Sequence, residues 1–266
     1  TFTPLMAVAL IILPAGPLLA WKRADLNGVV QRLTLALAVA VIAALIALFA
    51  FDPMKALAAA GIGLGVWLIA GALAELAERI RLFRAPRAEV WRRLTGLPVG
   101  AFGMTLAHAG LGLFVMGAVA ETAFKIEAVA VTAPGGPVAV AGPWHVTLDD
   151  VRIVEGPNYL AEQGVFTVAR EDGAGARTLT AERRFFPAGG QTTTEVGLDF
   201  RGLDDVYVVL GERRATETLA QAWTVRVHWN PWARLIFLGP TLMALGGLVS
   251  LSDRRLRFGV AGRKRG

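Results

Sequence analysis

The chain of 266 residues contains no cysteine, which excludes disulfides, zinc–thiolate sites and catalytic thiols within it. Histidine is almost as scarce: three copies stand far apart, at His108, His145 and His228. A single histidine cannot close a metal site. Charged residues make up only 18% of the chain against 55% hydrophobic, with a mean hydropathy of +0.52. That balance is too apolar for an ordinary soluble domain and points to a polytopic membrane protein. No internal repeat or low-complexity segment stands out. The opening run TFTPLMAVALIILPAGPLLAW lacks the basic n-region and the cleavage site of a signal peptide. It is expected to be a membrane span, in a chain that reads as a piece of something longer.

What the chain does have is five apolar runs, at about 4–21, 33–51, 56–74, 99–121 and 232–250. Basic residues gather in three places: Lys22, Arg23 and Arg32; Arg79 through Arg93; and the tail from Arg254 to Arg265. The positive-inside rule assigns these to the cytoplasm. Five crossings with a cytoplasmic C-terminus put the N-terminus and residues 122–231 outside. That outer segment holds ten Lys/Arg against fourteen Asp/Glu, a net −4 within a chain of net +6. The high sequence pI of 10.4 is therefore a topology signal and not a footprint for nucleic acid. The expected plan is four transmembrane helices over 1–124, a β domain over 125–231, a fifth helix over 232–251 and a basic cytoplasmic tail over 252–266.

The outer segment reads as β. HVTLDDVRI, GVFTVARE, RTLTAERRFF, TTTEVGLDF, DVYVVLGE and AWTVRVHW are short, rich in β-branched or aromatic residues, and partly alternating. EGPN, EDGAG, PAGGQ and RGLDD separate them as turns. Six to eight strands in about 105 residues suit a small sandwich or barrel. The fold class is thus a polytopic α-helical membrane protein of five transmembrane helices with one all-β periplasmic domain. Trp232, after Asn230-Pro231, is expected to open the last span at the interface.

The fourth span, PVGAFGMTLAHAGLGLFVMGAVAETAF, carries one ionisable side chain near its centre, His108. At ~1.5 Å per residue it lies ~15 Å from Pro98, close to the bilayer midplane. Imidazole there is costly unless satisfied, and it is the commonest protein metal ligand. Met104, Thr105 and Gly112 lie one turn away, and small residues leave room for a flat ligand. The same pattern also serves helix packing, with His108 hydrogen-bonded to a neighbouring helix; both readings stand at this point. His145 is expected at a solvated strand start, and His228, in VRVHWNP, just above the membrane surface. Asp149-Asp150 and Asp204-Asp205 fall at strand ends or turns, where Asp serves the backbone. GIGLG and ALGG read as close helix packing and not as phosphate loops. No Ser/His/Asp nucleophile arrangement is present to argue from.

Several blocks in order resemble the C-terminal part of the CcmF family of cytochrome c-type biogenesis proteins. GMTLAHAGLGLFVMG is similar to the family's last span before its large periplasmic loop, and VEGPNYLAEQGVFTV to a signature opening that domain. ERRFFP, TTTEVGL and DDVYVVLGE follow in sequence. VRVHWNPWARLIFLGPTLMALGGLVSLSDRR resembles the return to the membrane. The resemblance implies a haem lyase subunit in the bacterial inner membrane. Its substrate haem comes transiently from the haem chaperone CcmE, CcmH-type subunits present apocytochrome c, and the vinyl groups are joined to a C-x-x-C-H motif. It also implies haem b held in the membrane by two histidines. His108 matches one of them in its AHAG context, with Met104, Thr105 and Gly112 as pocket neighbours. The chain lacks the family's tryptophan-rich WWD segment, the flanking periplasmic histidines and the other transmembrane histidine. It should then supply half of a b-haem site and none of the ligands to incoming haem, and alone it is not expected to be catalytic. Two other classes compete. A transporter would need paired inverted segments, which are not evident; a non-catalytic anchor would merely hold the β domain for partner proteins.

Overall fold

A computed structural model describes residues 2–19, 26–50, 55–136, 139–214 and 221–253. Lys22, Arg23, Asp52 and the tail from Arg254 onward lie outside the described residues. The chain forms two compact units, one made of residues 1–123 with 234–266 and the other of 124–233.

The first unit is helical. Helix α1 spans Phe2–Ile12 and passes directly into a 3₁₀ turn over Leu13–Leu18. Pro14 and Pro17 remove backbone donors and crowd the preceding turn, so the α pattern cannot continue. Helix α2 covers Leu26–Ala50, α3 Ala56–Ile80, the short α4 Arg87–Thr95, α5 Val99–Ala123 and α6 Leu235–Leu251. Among the described residues three helices (α2, α3 and α5) are long and apolar enough to cross a membrane. The first and fifth expected spans differ from expectation. The stretch Pro4–Leu18 is broken by its prolines, and the 17 residues of α6 reach ~25 Å against a hydrocarbon core of ~30 Å. Five complete crossings are thus an expectation that three helices meet in length.

Helix α3 also runs past the expected end of its span at residue 74. Glu75 and Arg79, one turn apart, are hydrogen-bonded to each other, which removes the cost of carrying a lone carboxylate in an apolar helix. The helix stops at Arg81, whose φ of +54° turns the chain left-handed while the Leu82 N–H closes on the Ala77 carbonyl at 3.0 Å. On α4, Arg93 donates to Glu89, and that hydrogen bond holds the Glu89 carboxyl below its ordinary value.

The second unit is a β-sandwich of two antiparallel sheets, and not a barrel. Strands β1 (Ile126–Thr132), β7 (Gly197–Arg201), β8 (Asp204–Arg214) and β9 (Ala222–Asn230) form one sheet in the order β1-β9-β8-β7. Strands β2 (Ala139–Ala141), β3 (Trp144–Glu155), β4 (Leu160–Ala169), β5 (Arg177–Phe186) and β6 (Gln191–Glu195) form the other, in sequence order. The run TTTEVGLDF, read from sequence as one strand, is two: β6 pairs with β5 and β7 with β8, so the chain changes sheets at Val196. Gly197 permits the crossing, since a Cβ there would sit 2.8 Å from the Thr180 carbonyl oxygen. Inward residues alternate along each strand, and Val146, Leu148, Phe166, Val208, Leu210 and Val227 meet in a dry core. Burial of this apolar surface is the main force holding the sheets together.

One polar cluster interrupts that core. The Arg201 side chain is 8% exposed, lies 4.4 Å over the Trp144 ring and pairs with Asp199, itself 5% exposed. It also donates to the carbonyls of Gly175 and Val168. Arg177 donates to the other Asp199 oxygen at 2.8 Å. Trp144, Val168 and Arg177 belong to one sheet while Asp199 and Arg201 belong to the other, so the cluster pins the two together. On the outer part of β5, the hydrogen bond from Arg184 holds the Glu182 carboxyl below its ordinary value.

Candidate functional site

Helix α5 is the hub of the helical unit, because it uses opposite faces for two partners. Gly103, Gly110 and Gly117 recur every seven residues and so stay on one line of the helix. That line faces α6. A Cβ at Gly110 would lie 2.6 Å from the Gly239 carbonyl oxygen, and one at Gly239 would lie 2.6 Å from that of Gly110. A Cβ at Gly246 would meet the Gly103 carbonyl oxygen at 2.5 Å. The two backbones therefore touch, as small residues allow in membrane helices. Roughly half a turn around, Thr105, His108 and Gly112 look toward α3.

His108 is half-buried there. It shares a small cavity with Thr105 on α5, with Leu68, Gly71, Ala72 and Glu75 on α3, and with Leu13, Pro14 and Pro17 of the 3₁₀ turn. The turn is held against α3 from two sides. The Trp67 indole donates to the Ile11 carbonyl at 3.0 Å, and Gly71 has no side chain where Pro14 packs, a Cβ there falling 2.5 Å from the proline. The space open to the centre of a water-sized sphere is only about 10 Å³. That space is far smaller than a macrocycle.

The sequence-derived neighbours divide. Thr105 is 8% exposed and lines the cavity with His108, its hydroxyl donating to the Ala101 carbonyl at 3.1 Å. Met104 is half-buried one turn from His108. Gly112 is turned to α3, where a Cβ would lie 2.5 Å from the Gly65 carbonyl oxygen, so helix packing alone requires glycine there. The residue that sequence reading missed is Glu75. It is 4% exposed, lines the same cavity, and receives Arg79 on Oε1 while Oε2 has no hydrogen-bond partner. Its signal was available: Leu68, Ala72 and Glu75 are three and four apart, on one helical face.

The other candidates have local roles. Asp149 accepts from the Thr167 hydroxyl at 2.7 Å beside a register shift in β3. Asp204 accepts from the Trp229 indole at 3.1 Å and from the Trp232 N–H at 3.0 Å. It thereby holds Trp232 in a left-handed conformation, φ +57°, in a turn ahead of α6 and not inside it. His145 is half-buried at the start of β3. His228 stacks on Tyr207 with ring centroids 4.3 Å apart and lies 3.7 Å from a Glu127 oxygen across the β1–β9 pair. Among the described residues no group of three His, Cys, Asp or Glu could hold a metal ion. His108 therefore belongs to no such group among the described residues.

Helices long and apolar enough to cross a membrane, a β-sandwich inserted between the last two helices in chain order, and one half-buried histidine in a 25-residue apolar helix define a membrane-type protein carrying a folded β domain. Residues 123–231 match the CcmF C-terminal β-sandwich. Over 265 residues, 100% of the chain, the sequence is 43% identical to the cytochrome c-type biogenesis protein CycK of Rhizobium meliloti. It is 44% identical to CycK of Bradyrhizobium diazoefficiens over 260 residues, 97% of the chain. A solved structure of the cytochrome c haem lyase CcmF shares the fold, with a TM-score of 0.65 and 21% identity over 94% of this chain and 39% of that one. The chain belongs to the CcmF family of cytochrome c-type biogenesis proteins and corresponds to its C-terminal part. It spans 38% of the length of each of the two CycK relatives.

Proposed function

We propose that the protein containing this chain acts in cytochrome c maturation as the membrane subunit of a haem lyase, with His108 as one axial ligand of a b-type haem. Substrate haem arrives from CcmE, CcmH-type subunits present apocytochrome c, and each thiol S–H of its C-x-x-C-H motif adds across a haem vinyl group. Family membership along the whole chain supports the pathway. The observation that carries the site is a half-buried imidazole in a 25-residue apolar helix, backed by a buried carboxylate.

The donor set fits half of such a site. One neutral imidazole is a suitable axial ligand, and the second ligand comes from the part of the protein outside this chain. When bound, the haem supplies a one-electron carrier inside the membrane. The chain's own contribution is positional. Thr105 and Met104 flank the ring, Gly112 lets α5 approach α3, and the glycine line against α6 fixes the helix from behind. These contacts hold the imidazole in place for the missing half of the site.

In the purified full-length protein, His108→Ala is expected to abolish the reduced b-type absorbance. His145→Ala and His228→Ala should leave it at wild-type stoichiometry. Retention of the spectrum in His108→Ala would refute the ligand assignment.

The β-sandwich is periplasmic in this reading and the basic tail cytoplasmic, following the distribution of Lys and Arg. Reporter fusions at Gly189 and Arg263 are expected to signal from opposite sides of the inner membrane. Signals from the same side would require a different number of crossings.

A further inference from the structure

We infer that one water molecule occupies the cavity between α3 and α5 and carries a hydrogen bond from the His108 ring to Glu75, which makes Glu75 the positioning residue of that imidazole. The inference rests on the reading of His108 as an axial ligand and adds to it the group that orients the ring.

Size is the first argument. The space open to a water centre, about 10 Å³, is close to one probe sphere, which is room for a single water. The lining is the second. A buried water needs two to four polar partners, and among the walls of Leu13, Pro14, Pro17, Leu68, Gly71 and Ala72 stand only three polar side chains, those of Glu75, Thr105 and His108. The third is satisfaction. Glu75 is 4% exposed and its Oε1 is taken by Arg79, which balances the charge; Oε2 lies buried without a hydrogen-bond partner. A buried carboxylate oxygen left in that state is costly, so a donor is required.

Water completes the set without remainder. It accepts the His108 N–H, donates one hydrogen to Glu75 Oε2 and the other to Thr105 Oγ1. The Thr105 hydroxyl keeps its own hydrogen on the Ala101 carbonyl. The chemical consequence is a fixed tautomer. One ring nitrogen carries the proton held toward the carboxylate, and the other keeps its lone pair free on the side that meets iron. Histidine ligands are commonly oriented in this manner by a carboxylate, which also raises their basicity.

The test is a redox titration of the b-haem in the full-length protein. Glu75→Gln removes the negative charge that favours the oxidised iron through its ligand, so the midpoint is expected to shift upward with haem content unchanged. Thr105→Val removes one acceptor of the water and should shift the midpoint the same way by less. A purely structural role for Glu75 would lower the yield of protein without moving the midpoint. If Glu75→Gln fails to assemble because Arg79 is left unpaired, Glu75→Gln with Arg79→Gln removes both charges; since Glu75 and not Arg79 lines the cavity with His108, the midpoint is still expected to rise, by less. A density map of the wild-type protein provides a measurement free of substitution, with a peak expected between Glu75 and His108. Unchanged midpoints in all recovered variants would overturn the inference while leaving the ligand assignment intact, as would a map with the Glu75 carboxylate turned away from His108. Persistence of haem in His108→Ala strikes instead at the ligand assignment.

Discussion

Asp199→Ala is expected to destabilise the β-sandwich by about 3–5 kcal/mol, the range for removing one partner of a buried ion pair. Asp199 is the common acceptor of two guanidinium groups, and the Arg201 side chain is 8% exposed between the sheets. Without the carboxylate, Arg201 keeps its place over Trp144 and its carbonyl contacts but carries an uncompensated charge in the core. For a unit of this size the loss corresponds to roughly 12 °C or more in melting temperature. Asp199→Asn keeps hydrogen-bond acceptance and loses the charge, so it should fall between wild type and alanine. Arg201→Met removes the charge itself and fills the same space; it should cost less than Asp199→Ala, because Arg177 still pairs with Asp199. Thermal unfolding followed by tryptophan emission reads the transition, with Trp144 under the guanidinium as one of the seven tryptophans that report it. If the melting temperature of Asp199→Ala matched wild type, the cluster would not be what joins the sheets.

The residues of that cluster also mark where sequence reading stops. Six strand segments were legible because alternation is local, and the helical spans because apolar length is local. The Asp199–Arg201 pair was not legible. Asp199 sits inside an alternating run that reads as ordinary strand, and its meaning depends on Arg177 and Trp144 arriving from the other sheet. The split of TTTEVGLDF at Val196 was hidden for the same reason, since only pairing partners distinguish one strand from two. β1 went unread because its alanines blur the alternation.

In the helices the difficulty was a competition between signals. Pro14 and Pro17 stand within an apolar run whose hydropathy outweighed them, yet proline geometry decided where α1 ends. The expected third span stops at residue 74, one short of Glu75, and a carboxylate argues against a span. Its pairing with Arg79 reversed that argument and carried α3 to Ile80. His108 was legible for a sound reason, as an ionisable group in 25 apolar residues invites explanation. The face of α3 that carries the carboxylate was legible too, but its meeting with His108 was not, because the two come from different helices. Half of the site's chemistry could be read along the chain, and the other half needed the packing of α3 on α5.

That packing makes the second large effect a matter of backbone distance. Gly110→Leu and Gly239→Leu should each disrupt the helical unit. Each new Cβ would meet a carbonyl oxygen of the opposing helix at 2.6 Å, and a backbone atom cannot swing aside as a side chain can. Overpacking a well-filled contact commonly costs about 1–3 kcal/mol. Here the upper end or beyond is expected, because α5 and α6 must separate along the whole glycine line to admit one side chain. The double variant should cost less than the sum of the two, since helices already parted lose little more. Gly247→Leu supplies the control on the same helix, for a Cβ there meets nothing within 4 Å. The measurement is unfolding temperature in detergent, read beside b-haem content. His108 shares α5 with Gly110, so separation of α6 should carry haem loss with it, while Gly247→Leu keeps both values. Stable, fully loaded Gly110→Leu protein would mean that α6 does not hold α5 in register.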